Sequence, residues 1–234
     1  MKRFYKEAVS VPADGGGYAI VLDGRPVRTP ARAPLVLPNA RLAEAVVREW
    51  AEQGEEIDPA AMPMTGFSNA AIDRIAPDPA AFAEGIALYG ESDLLCYRAD
   101  TPPELADRQA AQWQPLLDWA QARFGIEFLV TCGIAHVAQP AATLARLHAA
   151  VNAHDPFALA GLSTLVSLGG SLVIGLAAVE RAFPLGALWQ AAELDELFQA
   201  ELWGDDDEAL ARRALRHEEF VRAATFAELA RTAP

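Results

Sequence analysis

A chain of 234 residues fits one large domain or two small ones and is long enough for a sizeable hydrophobic core. Its 52% apolar and 22% charged residues make it globular rather than disordered, and a formal net charge of −13 excludes the clustered basic surface that nucleic acid requires. The two cysteines, Cys96 and Cys132, lie far apart and outside any Cys-x-x-Cys, which excludes a secreted disulfide scaffold and makes a reducing cytoplasm the expected compartment. Met1-Lys2-Arg3 runs straight into strand-like Phe4–Val9, with no secretory or Arg/Ser-rich presequence.

The charge is uneven. Residues 1–50 hold eight Lys/Arg against five Asp/Glu, and the remainder holds 11 against 27, so the two regions are expected to differ in fold and role. Gly15-Gly16-Gly17 reads as a loop, Tyr18–Leu22 as a strand and Asp23-Gly24 as a hairpin turn. A strand returns over Arg25–Thr29, with Pro26 marking an edge, and Leu35–Leu37 is a further short strand. Asn39 can cap a helix in which Leu42, Val46 and Trp50 form an apolar stripe, ended by Gly54. That spacing places Trp50 in the core.

From Pro63 the pattern is helical, punctuated by Pro77, Pro79, Pro102-Pro103, Pro115, Pro140, Pro156 and Pro184. Gln109–Phe124 is a helix carrying Trp113, Leu116, Leu117 and Trp119, and Phe128–Thr131 reads as extended. Leu159–Val179 is uncharged and long enough to cross a bilayer, but Gly161, Gly169, Gly170 and Gly175 interrupt it. Gly169-Gly170 reads as the junction of two short buried helices, so no membrane insertion is expected. Asp205 and Glu208 have the spacing of a cap for a last helix through Leu215 and Phe220. The fold class expected is α+β: a small N-terminal α/β domain with an antiparallel sheet (1–76), then a larger all-α domain (77–234).

The stretch from Pro184 to Gly204 is the most unusual. On one continuous helix, Trp189, Glu196 and Trp203 fall on one stripe, with Ala187, Ala191, Leu194, Phe198 and Leu202 opposite. A carboxylate between two large aromatics is either a partly buried acid satisfied by a neighbour, such as Arg212 or Arg213 on the final helix, or part of a binding face.

No enzyme motif survives inspection. Gly15-Gly16-Gly17 precedes a strand, whereas phosphate loops precede helices. Gly169-Gly170-Ser171-Leu172-Val173 lacks the closing glycine of a nucleophile elbow. His136, His148, His154 and His217 form no metal-ligand pattern, and Asp205-Asp206-Asp207-Glu208 lacks the alternating ligands of a calcium loop. Glu193, Asp195 and Glu196 have no second catalytic group at a defined spacing. Neither catalytic residues, a metal, a cofactor nor a small-molecule substrate is expected. The rival classes are a small-molecule hydrolase using a carboxylate of the C-terminal domain and a membrane-anchored adaptor built on Leu159–Val179.

Arg3-Phe-Tyr-Lys6 and Tyr18-Ala-Ile-Val-Leu-Asp-Gly-Arg-Pro-Val-Arg-Thr-Pro30, followed by Glu49-Trp50, Ile57-Asp58-Pro59, Met62-Pro63-Met64-Thr65, Asn69–Arg74 and Tyr89–Arg98, carry a resemblance that ends with Asp195-Glu196, Gln199 and Trp203-Gly204. Over nearly its whole length the chain resembles the assembly chaperones for the alpha subunit of the F-type ATP synthase catalytic sector. That resemblance implies a small N-terminal α/β domain and a helical C-terminal domain, and a non-enzymatic role. The role is to bind the free alpha subunit, prevent its aggregation and yield it to the beta subunit. It also implies client contacts at Asp195, Glu196, Gln199 and Trp203, with Trp189 on the same helix and Trp50 in the N-terminal domain. The missing targeting segment fits a bacterial cytoplasmic member.

Overall fold

β1 (Ala8–Pro12) and β2 (Tyr18–Leu22) pair antiparallel from Ala8↔Leu22 to Pro12↔Tyr18 in a computed structural model that describes residues 1–133, 135–204 and 206–231. β3 (Arg25–Pro26) and β4 (Val36–Leu37) both pair with β2, which is therefore the central strand. Asp23 and Gly24 take positive φ angles of 45° and 77°, the geometry a tight hairpin demands of its Asp-Gly turn. The Asp23 carboxylate accepts from the Lys6 and Glu7 amides, and these bonds hold it below the usual carboxylate range. Ile20, Leu22 and Leu37 project to one face, against Leu42, Ala43 and Val46 of α1 (Ala40–Ala51), all buried.

The chain forms two compact units. The first comprises Met1–Pro79, Asp155–Gly161 and the chain from Thr225 onward; the second comprises Ala80–His154 and Leu162–Ala224. The first holds the sheet, α1 and α2 (Pro63–Ala70), with a π-helical turn over Ala71–Ile75 after it. The remaining helices are α3 (Pro79–Ala87), α4 (Pro103–Phe124), α5 (Ala141–Asn152), α6 (Pro156–Gly169), α7 (Leu172–Glu180), α8 (Leu185–Ala192), α9 (Leu194–Trp203) and α10 (Asp207–Ala230). The fold is α+β, a small N-terminal antiparallel sheet with a mostly helical remainder.

Several expected boundaries shift, each for a local reason. The first strand begins at Ala8 rather than Phe4. Met1 and Arg3 are held by Ile57 and Glu55 through backbone hydrogen bonds of 2.7 and 2.8 Å, which turns Tyr5 into the core. The return strand is only Arg25–Pro26, since proline cannot donate to the ladder. Leu35–Leu37 shortens to Val36–Leu37, and α1 ends at Ala51, before Gly54. Phe128–Thr131 is not a strand. Instead β5 (Tyr97–Arg98) and β6 (Thr131–Cys132) form a short parallel pair, a small departure from an all-α second region. The helix expected from Gln109 begins at Pro103.

Polar side chains close the helix ends of the first unit. Asn39 accepts from the Leu42 amide at the start of α1, and its Nδ2 donates to the carbonyls of Leu229, Ala230 and Arg231 at the end of α10. One amide thus serves orphan groups of two helices. Glu49 accepts from the Met64 and Thr65 amides and from the Thr65 hydroxyl, closing the N-terminus of α2. Asp73 accepts from the Thr29 hydroxyl and the Ala31 amide.

In the second unit, the uncharged run divides as its glycines imply. α6 ends at Gly169, Gly170 takes φ +60°, and the Ser171 hydroxyl accepts from the Ile174 amide at the start of α7. Among the described residues, no helix is long and apolar enough to cross a membrane. Asp205 lies outside the described residues; Asp206 accepts from the Ala209 amide at the start of α10. Asp93 is fully buried. It accepts from the Leu95 amide and, across the unit, from the Val173 amide in the first turn of α7. Burial nonetheless outweighs these donors and pushes its carboxyl up to about 6.

Asn39→Ala should cost about 2–3 kcal/mol in a denaturant melt, because a cap and a donor are lost together. Asn39→Asp keeps the acceptor but sets an anion against three carbonyls, and should not restore stability. Asp93 is protonated more readily folded than unfolded, so its contribution is fully present below pH ~4 and is lost as pH rises through about 6. Difference melts of wild type against Asp93→Asn should show wild type losing ground between pH 4 and 7, and the Asp93 carboxyl carbon should titrate in that window by NMR.

Candidate functional site

The single helix expected from Pro184 to Gly204 is two helices, broken at Glu193. This residue leaves helical geometry (φ −101°, ψ 13°), and its amide bonds the Trp189 carbonyl to close α8 before α9 begins. Its side chain is 2% exposed and lies 2.9 Å from Arg216 and 3.7 Å from Arg213, both on α10. Glu193 Oε1 has no aligned hydrogen-bond donor, so this contact is an ion pair rather than a directed bond. Burial raises the Glu193 carboxyl above its ordinary range. Arg216 opposes that shift, Glu196 adds to it, and Arg213 opposes it.

The break undoes the expected stripe. A residue outside helical geometry rotates the chain beyond it, so positions seven apart no longer share a face. Trp189 is 8% exposed; its ring packs 5.2 Å from His217 and 5.3 Å from Phe220, with the Arg216 guanidinium 5.9 Å above it. Trp189 therefore belongs to the core and not to an open face with Glu196 and Trp203. The supposed core stripe fails in the same way: Ala191, Leu194 and Phe198 are buried, but Ala187 and Leu202 are exposed. The buried acid anticipated for Glu196 is instead Glu193. Of the two expected partners, Arg213 takes part, while Arg212 lies 3.9 Å from Glu208.

α9 presents Glu196, Gln199 and Trp203 to solvent, and Trp203 is 78% exposed, the most open of the large apolar side chains described. Leu202 stands beside it at 57%. Asp195 is half-buried and accepts from Gln109 Nε2 at 2.8 Å. Gln109, on α4, also accepts from the Ala99 amide, and its carbonyl takes the Arg98 guanidinium. Next to it the Trp113 indole donates to the Ala191 carbonyl at 2.8 Å. Asp195 and Trp113 thus tie the start of α9 and the end of α8 to α4. At the other end of α9, Arg108 pairs with Glu201 at 2.7 Å and lies over the Phe198 ring. A firmly held helix ends in an unsupported Trp and Leu. Such a surface suits non-covalent protein contact.

Among the described residues no group of three or more His, Cys, Asp or Glu could hold a metal. Burial pushes the Cys96 thiol up to about 12, which disfavours the thiolate.

The ATP12 chaperone protein family matches residues 2–121. The crystal structure of Atp12 from Paracoccus denitrificans is 41% identical, covers 98% of each chain and superposes with a TM-score of 0.95. The chain belongs to the ATP12 chaperone family. A mutant of the Paracoccus protein is 40% identical over 98% of both chains at a TM-score of 0.95. A candidate chaperone from Agrobacterium tumefaciens is 42% identical, with a TM-score of 0.94 over 98% of this chain and 86% of that one. The ATP12 family match includes Trp50, Gln109 and Trp113 but stops before α8. The likeness of α8 and α9 rests on the solved structures.

Trp50 lies in the first unit, apart from α9 in sequence and in unit. It is half-buried, and its ring meets Tyr5 edge-on at 5.6 Å. The Tyr5 hydroxyl donates to the Trp50 carbonyl at 2.6 Å, and the indole nitrogen is buried with no hydrogen-bond partner. Trp50 packs on the cluster of Tyr5, Leu22, Ile57 and Met62. Glu193, Gln109, Trp113 and Arg216 escaped sequence reasoning as a connected group, because their partners are many residues away and share no periodic spacing.

Glu193→Gln should destabilise the protein by about 2–4 kcal/mol, since two arginines lose their buried counter-charge. Glu196→Gln, on the open side, should change stability by no more than about 0.5 kcal/mol. Denaturant melts of the two variants side by side check both figures.

Proposed function

We propose that this protein is a chaperone of ATP synthase assembly that binds the unassembled alpha subunit of the catalytic sector. It prevents that subunit's aggregation and yields it to the beta subunit, acting without catalysis in a bacterial cytoplasm. The observation that carries the reading is the exposed end of α9, Trp203 with Leu202, in a member of a chaperone family. A ring subunit without its neighbours exposes an apolar interface that self-associates. A chaperone must cover that surface and still let it go. An aromatic anchor flanked by carboxylates meets both needs better than a wholly apolar patch, because the charged rim stays hydrated when the client leaves.

Within this reading the residues divide by what they touch. Glu196, Gln199 and Trp203 meet the client directly. Asp195 and Trp189 position α9 through Gln109 and through the α10 side chains, respectively. Trp50 holds α1 against Tyr5 and acts on client binding through the stability of the first unit.

Light scattering of diluted, purified alpha subunit should fall when the protein is added in excess without ATP; undiminished aggregation would reject the client assignment. Trp203→Ser should melt like wild type yet bind alpha subunit about 30-fold more weakly, the loss typical of a central aromatic contact. Titration against alpha subunit measures it.

A further inference from the structure

Gln109 and Trp113 stand one turn apart on α4, both buried, and both reach the helix pair that carries the exposed surface. Trp113 donates to Ala191 at the end of α8, and Gln109 Nε2 donates to the Asp195 carboxylate at the start of α9, each at 2.8 Å. Gln109 is 1% exposed and is held from behind. Its Oε1 accepts from the Ala99 amide at 2.7 Å, and its backbone carbonyl accepts from Arg98 Nη1 at 2.6 Å. Arg98 is buried in turn. Its Nε donates to the Leu95 carbonyl at 3.0 Å, and its guanidinium lies 5.2 Å over the Trp113 ring. The amide that meets Asp195 is thus fixed by the chain that carries β5.

The polarity of this contact leaves little choice of residue. The Ala99 amide can only donate and a carboxylate can only accept, so the side chain between them must offer one acceptor and one donor. A primary amide does both. A glutamate would set its second oxygen against Asp195, and an apolar side chain would leave both partners unbonded. Among the described residues Gln109 is the one donor to the Asp195 carboxylate. The other polar tie of α9, Arg108 with Glu201, is open to water on both sides and therefore weaker. Trp203 lies about 12 Å along the axis from Asp195, so a swing of about 10° at the start of α9 carries it about 2 Å. A displacement of that size is enough to spoil a built contact.

We propose that Gln109 is a positioning residue of the client surface: through Asp195 it sets the pose of α9, and Asp195 acts from beneath that surface without touching the client. The inference rests on the client-binding reading of α9 and assigns the layer under it. Glu196, Gln199 and Trp203 make the contacts. The bond between Gln109 and Asp195 decides where they stand.

Titration with purified alpha subunit, paired with denaturant melts, tests this on three variants. Gln109→Glu keeps the bond from Ala99 but sets two carboxylates together, and should weaken binding about tenfold, the worth of a charge-assisted hydrogen bond. Asp195→Asn can turn its oxygen toward Gln109 Nε2, and should weaken binding by no more than about threefold. Gln109→Glu combined with Asp195→Asn reverses the polarity of the bond, the introduced amide donating to the introduced carboxylate. That pair should return affinity to within about threefold of wild type. Should Gln109→Glu alone not fold, Gln109→Met, of similar length but without either bond, supplies the unbonded reference. A paired variant that binds no better than this reference overturns the inference and leaves the client reading standing; an equal loss in Asp195→Asn assigns its charge to direct client contact. Lowered melting with unchanged affinity per folded molecule in every variant makes the bond structural only, which overturns the inference equally. Absence of any complex with wild type removes both.

Discussion

The buried Glu193 carboxylate joins the α8–α9 junction to α10 within the second unit. Glu193 leaves helical geometry between α8 and α9, and its buried side chain pairs with Arg216 and Arg213 on α10. A buried charge without a partner costs several kcal/mol, so the arginines are a requirement of the fold. Once the chain breaks at Glu193, α8 turns Trp189 onto His217 and Phe220, while α9 turns Glu196 and Gln199 outward.

The first unit solves a different problem. Two of its four strands have only two residues, too few for a sheet to stand alone. Its stability comes from α1 packed over Ile20, Leu22 and Leu37, and from side chains that close the ends of elements distant in sequence. Asn39 reaches the last carbonyls of α10, and Glu49 reaches the first amides of α2. These contacts also give the Glu49-Trp50 pair a structural reason. The acid caps α2, while the indole packs on Tyr5. The cost is one buried indole nitrogen left without a partner.

A surface proposed to receive a client has to be held in place while it is unoccupied. Here α9 is tied at both ends, by Asp195 to Gln109 and by Glu201 to Arg108, yet finishes in Leu202 and Trp203 in open solvent. Under the proposed function, such rigidity would lower the ordering cost when a client arrives.

Local pattern determined much of this protein. The Asp-Gly hairpin, the Asn39 cap, the Leu42/Val46 stripe and the Gly169-Gly170 junction were legible because each depends on backbone geometry or periodicity within a few residues. The family was legible because its motifs are long and spread along the chain. The face of α8 and α9 was not. A seven-residue spacing predicts a shared face only while the helix is unbroken, and nothing beside Glu193 in sequence announces the break. The charges that Glu193 meets lie about twenty residues downstream, on α10. Likewise, residues 155–161 and the chain from Thr225 join the sheet-bearing unit through contacts with no local signature. Which acid is buried and which aromatic is exposed was decided by tertiary structure alone, because burial of a charge is set by where its counter-charge lies in space.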